Sequence, residues 1–463
     1  MRRCPGSTSS TCEIPLSGSC LRIARRFGRK SGVTAVFDAF HILRHFLAAR
    51  RLSASIRSED HLRKHQADGL YGFRRSVLRR SPFYKPMWND AFGRLPMMNK
   101  TAMLADFDHL NTVGITLEQA MDIAMQAERS RDFAPMIGDV TIGLSSGTSG
   151  RRGVFMASKA ERLKWAGVML AKALPRSILR PHRIAFFLRA NSNLYSTLNR
   201  GRHLTLDFYD LTIPLHRHVA ALNANHADVL TAPASVLRAL AEEASLGRLA
   251  IRPIRILSVA EVLEPEDARF IADQLGSPVH QIYQCTEGFL GISGADGRIR
   301  LNEEYLIVEK EWVDRKTGRF VPVITDFTRR TQPIVRYRLD DVLVEDLSDS
   351  SPFTVLKAVE GRCDDVLHFQ SAAARVPICG DTMRQAIASS RLPYEDYRIV
   401  QEPSGSLRMQ FLPDLDDSGR AEAERVVAEL ASRHGAVAPE VSFEPFAPRD
   451  PLAKFRRIMR MAA

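Results

Sequence analysis

Cysteine is scarce in this chain, with six in 463 residues and no CxxC pair among them. That excludes a disulfide framework and leaves a structural zinc site unsupported, so no zinc is expected. Long apolar runs are also missing, and nothing in the sequence is long enough to span a bilayer. The opening twenty residues, MRRCPGSTSSTCEIPLSGSC, lack the apolar stretch of a secretory signal. Together these absences point to a reducing, cytoplasmic setting. Acidic residues are rare at the start. Residues 1–80 hold 17 Lys or Arg against 5 Asp or Glu, and the remaining 383 residues hold 48 of each sign. The body of the protein is therefore neutral, which argues against an enzyme that tracks nucleic acid and against a nucleic-acid partner. Residues 1–30 read as a basic, disordered tail. Oligomeric state has no signal in the sequence.

What is present is an ordinary globular composition in a chain too long for one core. Residues 34–52 and 55–80 carry apolar residues at helical spacing. Each contains an HxxxH, His41 with His45 and His61 with His65, but no Glu follows the first His and no third ligand is evident, so both pairs read as packing or surface histidines. From residue 138 short apolar runs alternate with helical patterns. Ser158 followed by Glu161 forms a capping box ahead of a helix. RIAFFLRA, LTLDFYDL, ADVLTAP, IRILSV and VHQIYQC read as strands. This alternation predicts an α/β architecture with a largely parallel core. After residue 297 the runs are shorter and strand-like. A region from residue 363, with short strands and one helix over GRAEAERVVAELASRHG, predicts a small α+β unit. The expected organisation is a large domain over 31–362 with mixed sheets and helices, and a small C-terminal domain over 363–463.

The stretch GLSSGTSGRRG, residues 143–153, packs four Gly, four Ser or Thr and two Arg into eleven positions. It lacks the Lys of a Walker loop. Its GLSSG matches the GxSxG of a serine nucleophile, with Ser145 in that role, but such an elbow needs a strand running into a helix, and VFM, the run that follows, reads as a strand. The remaining reading is a phosphate-gripping loop. Glycine lets backbone amides turn inward, hydroxyls donate, and guanidinium groups add charge. A plain flexible connection stays open at this point.

Further on come IYQCTEG at 282–288, QPIVRYRLDD at 332–341, EGRCDD at 360–365 and PLAKFRR at 451–457. In this order and spacing the set resembles the adenylate-forming enzymes. It is especially similar to the branch with phenylacetate–CoA ligase and the deazaflavin coenzyme F synthetases, over roughly residues 35–460. The resemblance implies an ATP- and Mg²⁺-dependent ligase that joins a carboxylic acid to AMP, releases pyrophosphate and passes the acyl group to a thiol. CoA is the implied acceptor, with an acyl-carrier protein thiol or an amine left open, and the implied acid is aromatic or apolar. It assigns Ser145, Ser146, Gly147, Thr148, Ser149, Gly150, Arg151 and Arg152 to the β- and γ-phosphates. Thr286 falls to the α-phosphate, Glu287 to Mg²⁺, Tyr283 to adenine stacking, and Asp341 with Arg362 to the ribose. Asp364 becomes a hinge and Lys454 the catalytic cation from the small domain. Five departures stand against the family pattern. Arg151 and Arg152 replace a Lys, Gln284 and Asp340 replace glycines, Ala453 replaces the glycine before Lys454, and residues 342–359 contain no cysteine. Acid-pocket candidates are 188–196, 231–236 and 288–292. Two rivals remain at the level of sequence: a serine hydrolase using Ser145, and a non-catalytic nucleotide-binding homologue.

Overall fold

Ile42, Phe46 and Ala49 recur at helical spacing along α1 (Gly32–Ser55), and all three are buried. The chain then breaks at residues 56–58 before α2 (Glu59–Ser76). Ser58 is extended, and its hydroxyl accepts the amide of His61 at 3.3 Å, which starts the second helix within the second stretch expected to be helical. These observations come from a computed structural model. It describes residues 32–130, 134–144, 153–175, 178, 180–188, 204–211, 213–362, 367–371, 375–378, 392–447 and 457–461, with 380, 383, 386, 387 and 390.

After α3 (Leu117–Ser130) come β1 (Met136–Ile137), β2 (Val140–Leu144) and β3 (Val154–Ala157), a three-stranded antiparallel sheet. The predicted capping box is present at the start of α4 (Lys159–Ala173). Helices α1 and α4 cross closely at Gly167. A Cβ there would lie 2.5 Å from the Cβ of His45 and 2.7 Å from the carbonyl oxygen of Ile42. Gly167→Ala is therefore expected to destabilise the protein by about 1–3 kcal/mol through overpacking, read as a fall in thermal midpoint. His45 is thus a packing residue. His65 also has a packing role, with its Nε2 2.9 Å from the carbonyl oxygen of Glu304.

The parallel core follows. It runs through β4 (His182–Leu188), β5 (Leu204–Asp210), α5 (Leu215–Ala224), β6 (Val229–Ala232), α6 (Ala234–Ser245), β7 (Arg255–Val259), α7 (Pro265–Leu275) and β8 (Val279–Cys285). The strands lie in the order β5-β4-β6-β7-β8, all parallel. Ile184 and Phe186 of β4 pack toward α1 and α4, while Ala185 and Phe187 pack toward α5, α6 and α7. Both faces are covered, so these strands read as continuous apolar runs rather than alternating ones.

The same sheet continues antiparallel. Its members are β9 (Gly288–Ser293), β10 (Ile299–Leu301), β11 (Leu306–Asp314), β12 (Arg319–Asp326), β13 (Ile334–Arg338), β14 (Asp341–Glu345) and β15 (Val355–Arg362). From β8 the order is β9-β10-β15-β14-β12-β11, with β13 also on β12. The C-terminal unit contains the pair β16 (Leu367–Gln370) and β17 (Arg375–Ile378). Beside it lie β18 (Asp396–Gln401), β19 (Leu407–Leu412), α8 (Asp417–Arg433), β20 (Val441–Pro445) and β21 (Ile458–Arg460). Strand order β20-β19-β18-β21 forms a separate sheet with its own apolar cluster, centred on Ile399, Met409, Phe411 and Val427. The result is the expected mixed α/β architecture.

Candidate active site

Because β4, β6, β7 and β8 are parallel, their carboxyl ends share one edge of the sheet, the edge where open α/β sheets place ligands. The flagged stretches gather there. Residues 189–196 follow Leu188 but lie outside the described residues. TAPASV leaves β6, and IYQCTEG ends β8. Within TAPASV and GFLGI, Thr231, Ala232, Ala234, Val236, Leu290 and Ile292 are buried core.

Two residues near this edge hold strained backbones. Ala260, one past the end of β7, has φ 67°, and the amide of Glu261 closes a tight turn onto the carbonyl of Val259 at 2.8 Å. Arg336 in β13 has φ 43°. Such conformations cost about 1–3 kcal/mol each in non-glycine residues and persist where the surroundings over-determine them. The surroundings do so in both places. The Glu261 carboxylate accepts the amide and hydroxyl of Ser235 at 2.8 and 3.1 Å. The Arg336 guanidinium reaches Glu309 at 2.9 Å and the carbonyls of Gly93 and Leu95 at 2.7 and 2.8 Å. Register pairs Val259 with Ile282, which sets Ala260 beside Tyr283.

Thr286 and Glu287 form the two-residue turn between β8 and β9, where Cys285 pairs with Gly288. They turn one strand directly into the next and do not open a helix. The Thr286 hydroxyl donates to Glu287 Oε2 at 2.8 Å. The Cys285 thiol donates to the Gly288 carbonyl at 3.8 Å, and the Tyr337 phenol lies close enough to the Glu287 carboxylate to feel its charge. Burial, then the charge of Glu287, pushes the Tyr337 phenol far above its ordinary value. Burial, then Glu287 and Asp341, does the same to the Cys285 thiol. Thr286 is thus the direct donor to this carboxylate, with a protonated phenol and a protonated thiol beside it.

Tyr283 and Asp341 come from strands 58 residues apart, and the Tyr283 hydroxyl donates to Asp341 Oδ2 at 2.7 Å. Burial, then Asp341, raises the Tyr283 phenol well above its ordinary value. Asp341 opens β14 and pairs in register with Arg362, the last residue of β15. The Arg362 side chain, Asp364, Lys454 and the loop Ser145, Ser146, Gly147, Thr148, Ser149, Gly150, Arg151, Arg152 lie outside the described residues.

The stem of that loop is described. Strands β2 and β3 pair antiparallel from Thr141 with Ala157 to Leu144 with Val154. Strand returns to strand, not to the helix a nucleophile elbow requires, so the structure argues against Ser145 in that role. Gly143 faces Phe155, and a Cβ at 143 would lie 2.1 Å from the ring. Gln332 fastens the stem to the main sheet. Its Nε2 donates to the Val154 carbonyl at 3.0 Å, and its Oε1 accepts the Met156 amide at 2.9 Å. The residues before Gln332 are held by Glu161, whose Oε1 accepts the amides of Arg330 and Thr331 at 2.6 and 3.1 Å. Sequence reasoning used only Asp341 from QPIVRYRLDD and missed Gln332 and Tyr337. The signal was the motif itself, since a polar Gln and a Tyr in an apolar strand each need a partner.

For Mg²⁺ the donor chemistry fits in a limited way. A carboxylate offers about four acceptor positions. Thr286 takes one of those on Glu287, which leaves acceptor positions for a hard cation. Among the described residues no group of three His, Cys, Asp or Glu forms a cage. Mg²⁺ commonly binds through one or two carboxylates plus water and phosphate, which this arrangement allows.

The sequence matches no known family model and no curated protein. Solved structures do match. The structure of 2-hydroxyisobutyryl-CoA ligase in the postadenylation state with 2-HIB-AMP superposes with a TM-score of 0.63 at 16% identity, covering 88% of this chain and 90% of that one. The same ligase with R3-HIB-AMP gives 0.62 at 15% identity over 88% and 91%. Its open conformation with 2-HIB-AMP and CoA gives 0.51 at 16% identity over 88% and 91%. The chain has the adenylate-forming ligase fold. In this adenylate-forming ligase fold the described motif residues Tyr283, Thr286, Glu287 and Asp341 come together at the carboxyl edge, drawn from β8, the turn after it, and β14. No helix among the described residues is long and apolar enough to cross a membrane.

Proposed function

We propose that this protein activates a carboxylic acid with ATP and Mg²⁺, forming an acyl-adenylate, and then transfers the acyl group to a thiol. The observation that carries the reading is the pair of contacts at the sheet edge, Tyr283 to Asp341 and Thr286 to Glu287, on the fold named above. In the first step a carboxylate oxygen of the acid attacks the α-phosphorus, a new P–O bond forms, and the bond to pyrophosphate breaks. In the second a thiolate attacks the acyl carbon and AMP leaves with the electron pair of the C–O bond. Bound Mg²⁺ would neutralise charge on the phosphate oxygens. Glu287 would hold it, oriented by the Thr286 hydroxyl, and Thr286 would also serve the α-phosphate.

The remaining roles complete the proposal. Asp341, steadied by Tyr283, accepts the ribose hydroxyls, with Arg362 nearby. Tyr283 offers its ring to adenine. Ser145, Ser146, Thr148, Ser149, Arg151 and Arg152 hold the outgoing phosphates, with Gly147 and Gly150 letting the backbone turn. Lys454 stabilises charge between carboxylate and phosphate. The acid is aromatic or apolar, and the acceptor is CoA or a carrier-protein thiol, as in the phenylacetate–CoA ligase branch. The units 31–362 and 363–463 act as large and small domains about a hinge at Asp364, in a cytoplasmic protein.

Hydroxylamine trapping tests the first step. Protein, ATP, Mg²⁺ and the right acid yield hydroxamate and AMP together, whereas AMP without hydroxamate contradicts the reading. Tyr283→Phe keeps the ring but removes the hydroxyl on Asp341. It is expected to raise KM for ATP about 5- to 30-fold with kcat little changed, the size of one hydrogen bond to a charged group. Initial rates over a range of ATP concentrations check this.

A further inference from the structure

Helix α1 is apolar on two sides, and only one of them is covered. Ile42, Phe46 and Ala49 face α4 and join the cluster of Leu163, Ala166 and Leu170. Phe37, Phe40, Leu43 and Leu47 stay 62%, 63%, 37% and 44% exposed. Positions 37, 40, 44, 47 and 51 recur at intervals of three and four, which lines them up along one side of a helix. Arg44 and Arg51 are exposed and stand in the same row as the two phenylalanines and Leu47. Arg50 beside them is exposed too, with its guanidinium 5.4 Å over the ring of Phe46. The only acidic residue of α1, Asp38, is buried and binds Lys159 Nζ at 2.8 Å. The outer face of α1 therefore offers apolar and cationic side chains and no carboxylate.

An exposed apolar row of this length marks a surface that something covers. The cover has to suit both halves of the pattern. A second copy laid on the same row would set arginine near arginine with no acid between them. Phe37 and Phe40 are more than half exposed, so they stand out from the surface and do not line a groove for a peptide. An anionic lipid surface accepts both halves at once. Apolar side chains enter the boundary between headgroups and acyl chains, and guanidinium groups meet the phosphates above it. The excess of base over acid in residues 1–80, 17 against 5, adds attraction of the same sign. We propose that α1 is a peripheral membrane contact. It lies flat on an anionic bilayer, with Phe37, Phe40, Leu43 and Leu47 in the interface and Arg44, Arg50 and Arg51 at headgroup level. This contact does not depend on the reaction proposed above.

The test is co-sedimentation of the full chain with vesicles of phosphatidylcholine, alone or with about one-third phosphatidylserine. Binding to the mixed vesicles is expected, at least about tenfold tighter than to phosphatidylcholine alone, and weaker as salt is raised. Phe37→Ser with Phe40→Ser keeps every basic residue, yet is expected to weaken binding at least about tenfold. Arg44→Gln with Arg51→Gln is expected to weaken it about tenfold as well. All four positions are exposed, so the thermal midpoints should stay near that of the wild type. Phe40→Trp gives a readout of depth. Its added fluorescence, taken as the difference from the wild type, should shift to the blue on mixed vesicles and be quenched by brominated acyl chains. A wild type that leaves the mixed vesicles unbound overturns the proposal. So does binding that survives the loss of both phenylalanines, since it then rests on basic residues elsewhere, and so does an added indole that brominated chains fail to quench. Self-association that depends on Phe37 and Phe40, with no vesicle binding, would give the row to a second copy and overturn the proposal as well.

Discussion

Glu287→Ala is expected to abolish acid-dependent ATP–pyrophosphate exchange, with a loss of about two to three orders of magnitude, while the thermal midpoint moves little. The reasoning is geometric. Glu287 sits in a two-residue turn, and its carboxylate accepts the Thr286 hydroxyl beside the protonated Tyr337 phenol. That constrains the carboxylate before any ligand arrives. Removing it deletes the anchor proposed for the metal that spreads the phosphate charge. Glu287→Gln keeps the shape and part of the hydrogen bonding, so a loss as large as that of Ala assigns the effect to charge. Exchange unaffected by either variant would remove Glu287 from the mechanism.

The second large effect is on stability. Glu161→Gln is expected to cost about 3–5 kcal/mol, as breaking one partner of a buried charged network does. The Glu161 oxygens accept the amide and hydroxyl of Ser158 at 2.8 and 2.6 Å, the amides of Arg330 and Thr331, and the hydroxyl of Thr331. A glutamine presents one oxygen and one donor where two acceptors are needed. Burial pushes the Glu161 carboxyl up, but Arg329 and these hydrogen bonds outweigh it and hold the group below its ordinary value of 4.5. The folded form therefore binds the proton less readily than the unfolded form. The stability this supplies is complete at neutral pH and is lost as pH falls from 4.5 through the lowered folded value. Denaturant titrations of wild type and Glu161→Gln at several pH values test this, and the gap between them should narrow toward acid. A gap independent of pH would mean the charge is not what matters.

The parallel core was legible because its strands carry continuous apolar runs between helices with clear start signals. Ser158 with Glu161 is one such signal, and the capping box sits where the sequence puts it. Local turn chemistry was harder to read. Thr286–Glu287 suits a helix start as well as a hairpin turn, and the pairing of β8 with β9 decides between them. Ser58 starts the second helix at Glu59, a few residues later than periodicity suggests. Contacts across long stretches left the weakest trace. Gln332 reaches back to β3, Tyr337 meets Glu287, and Arg457 meets Asp267, and no period or spacing encodes these meetings. They arise because the sheet reverses direction after β8 and folds later motifs over earlier ones. Glu161 shows both sides of this. Its capping role is local and readable, while its hold on residues 330 and 331 exists only in the assembled structure.

The central claim is that this fold carries out adenylation, and one measurement addresses it directly: ATP–pyrophosphate exchange across a panel of aryl and fatty acids, with the protein alone and Mg²⁺ present. The account predicts exchange that requires the acid, favours one class of acid, and vanishes in Glu287→Ala. Measurable ATP binding with no exchange for any acid in the panel would contradict it and point to a nucleotide-binding protein without this chemistry.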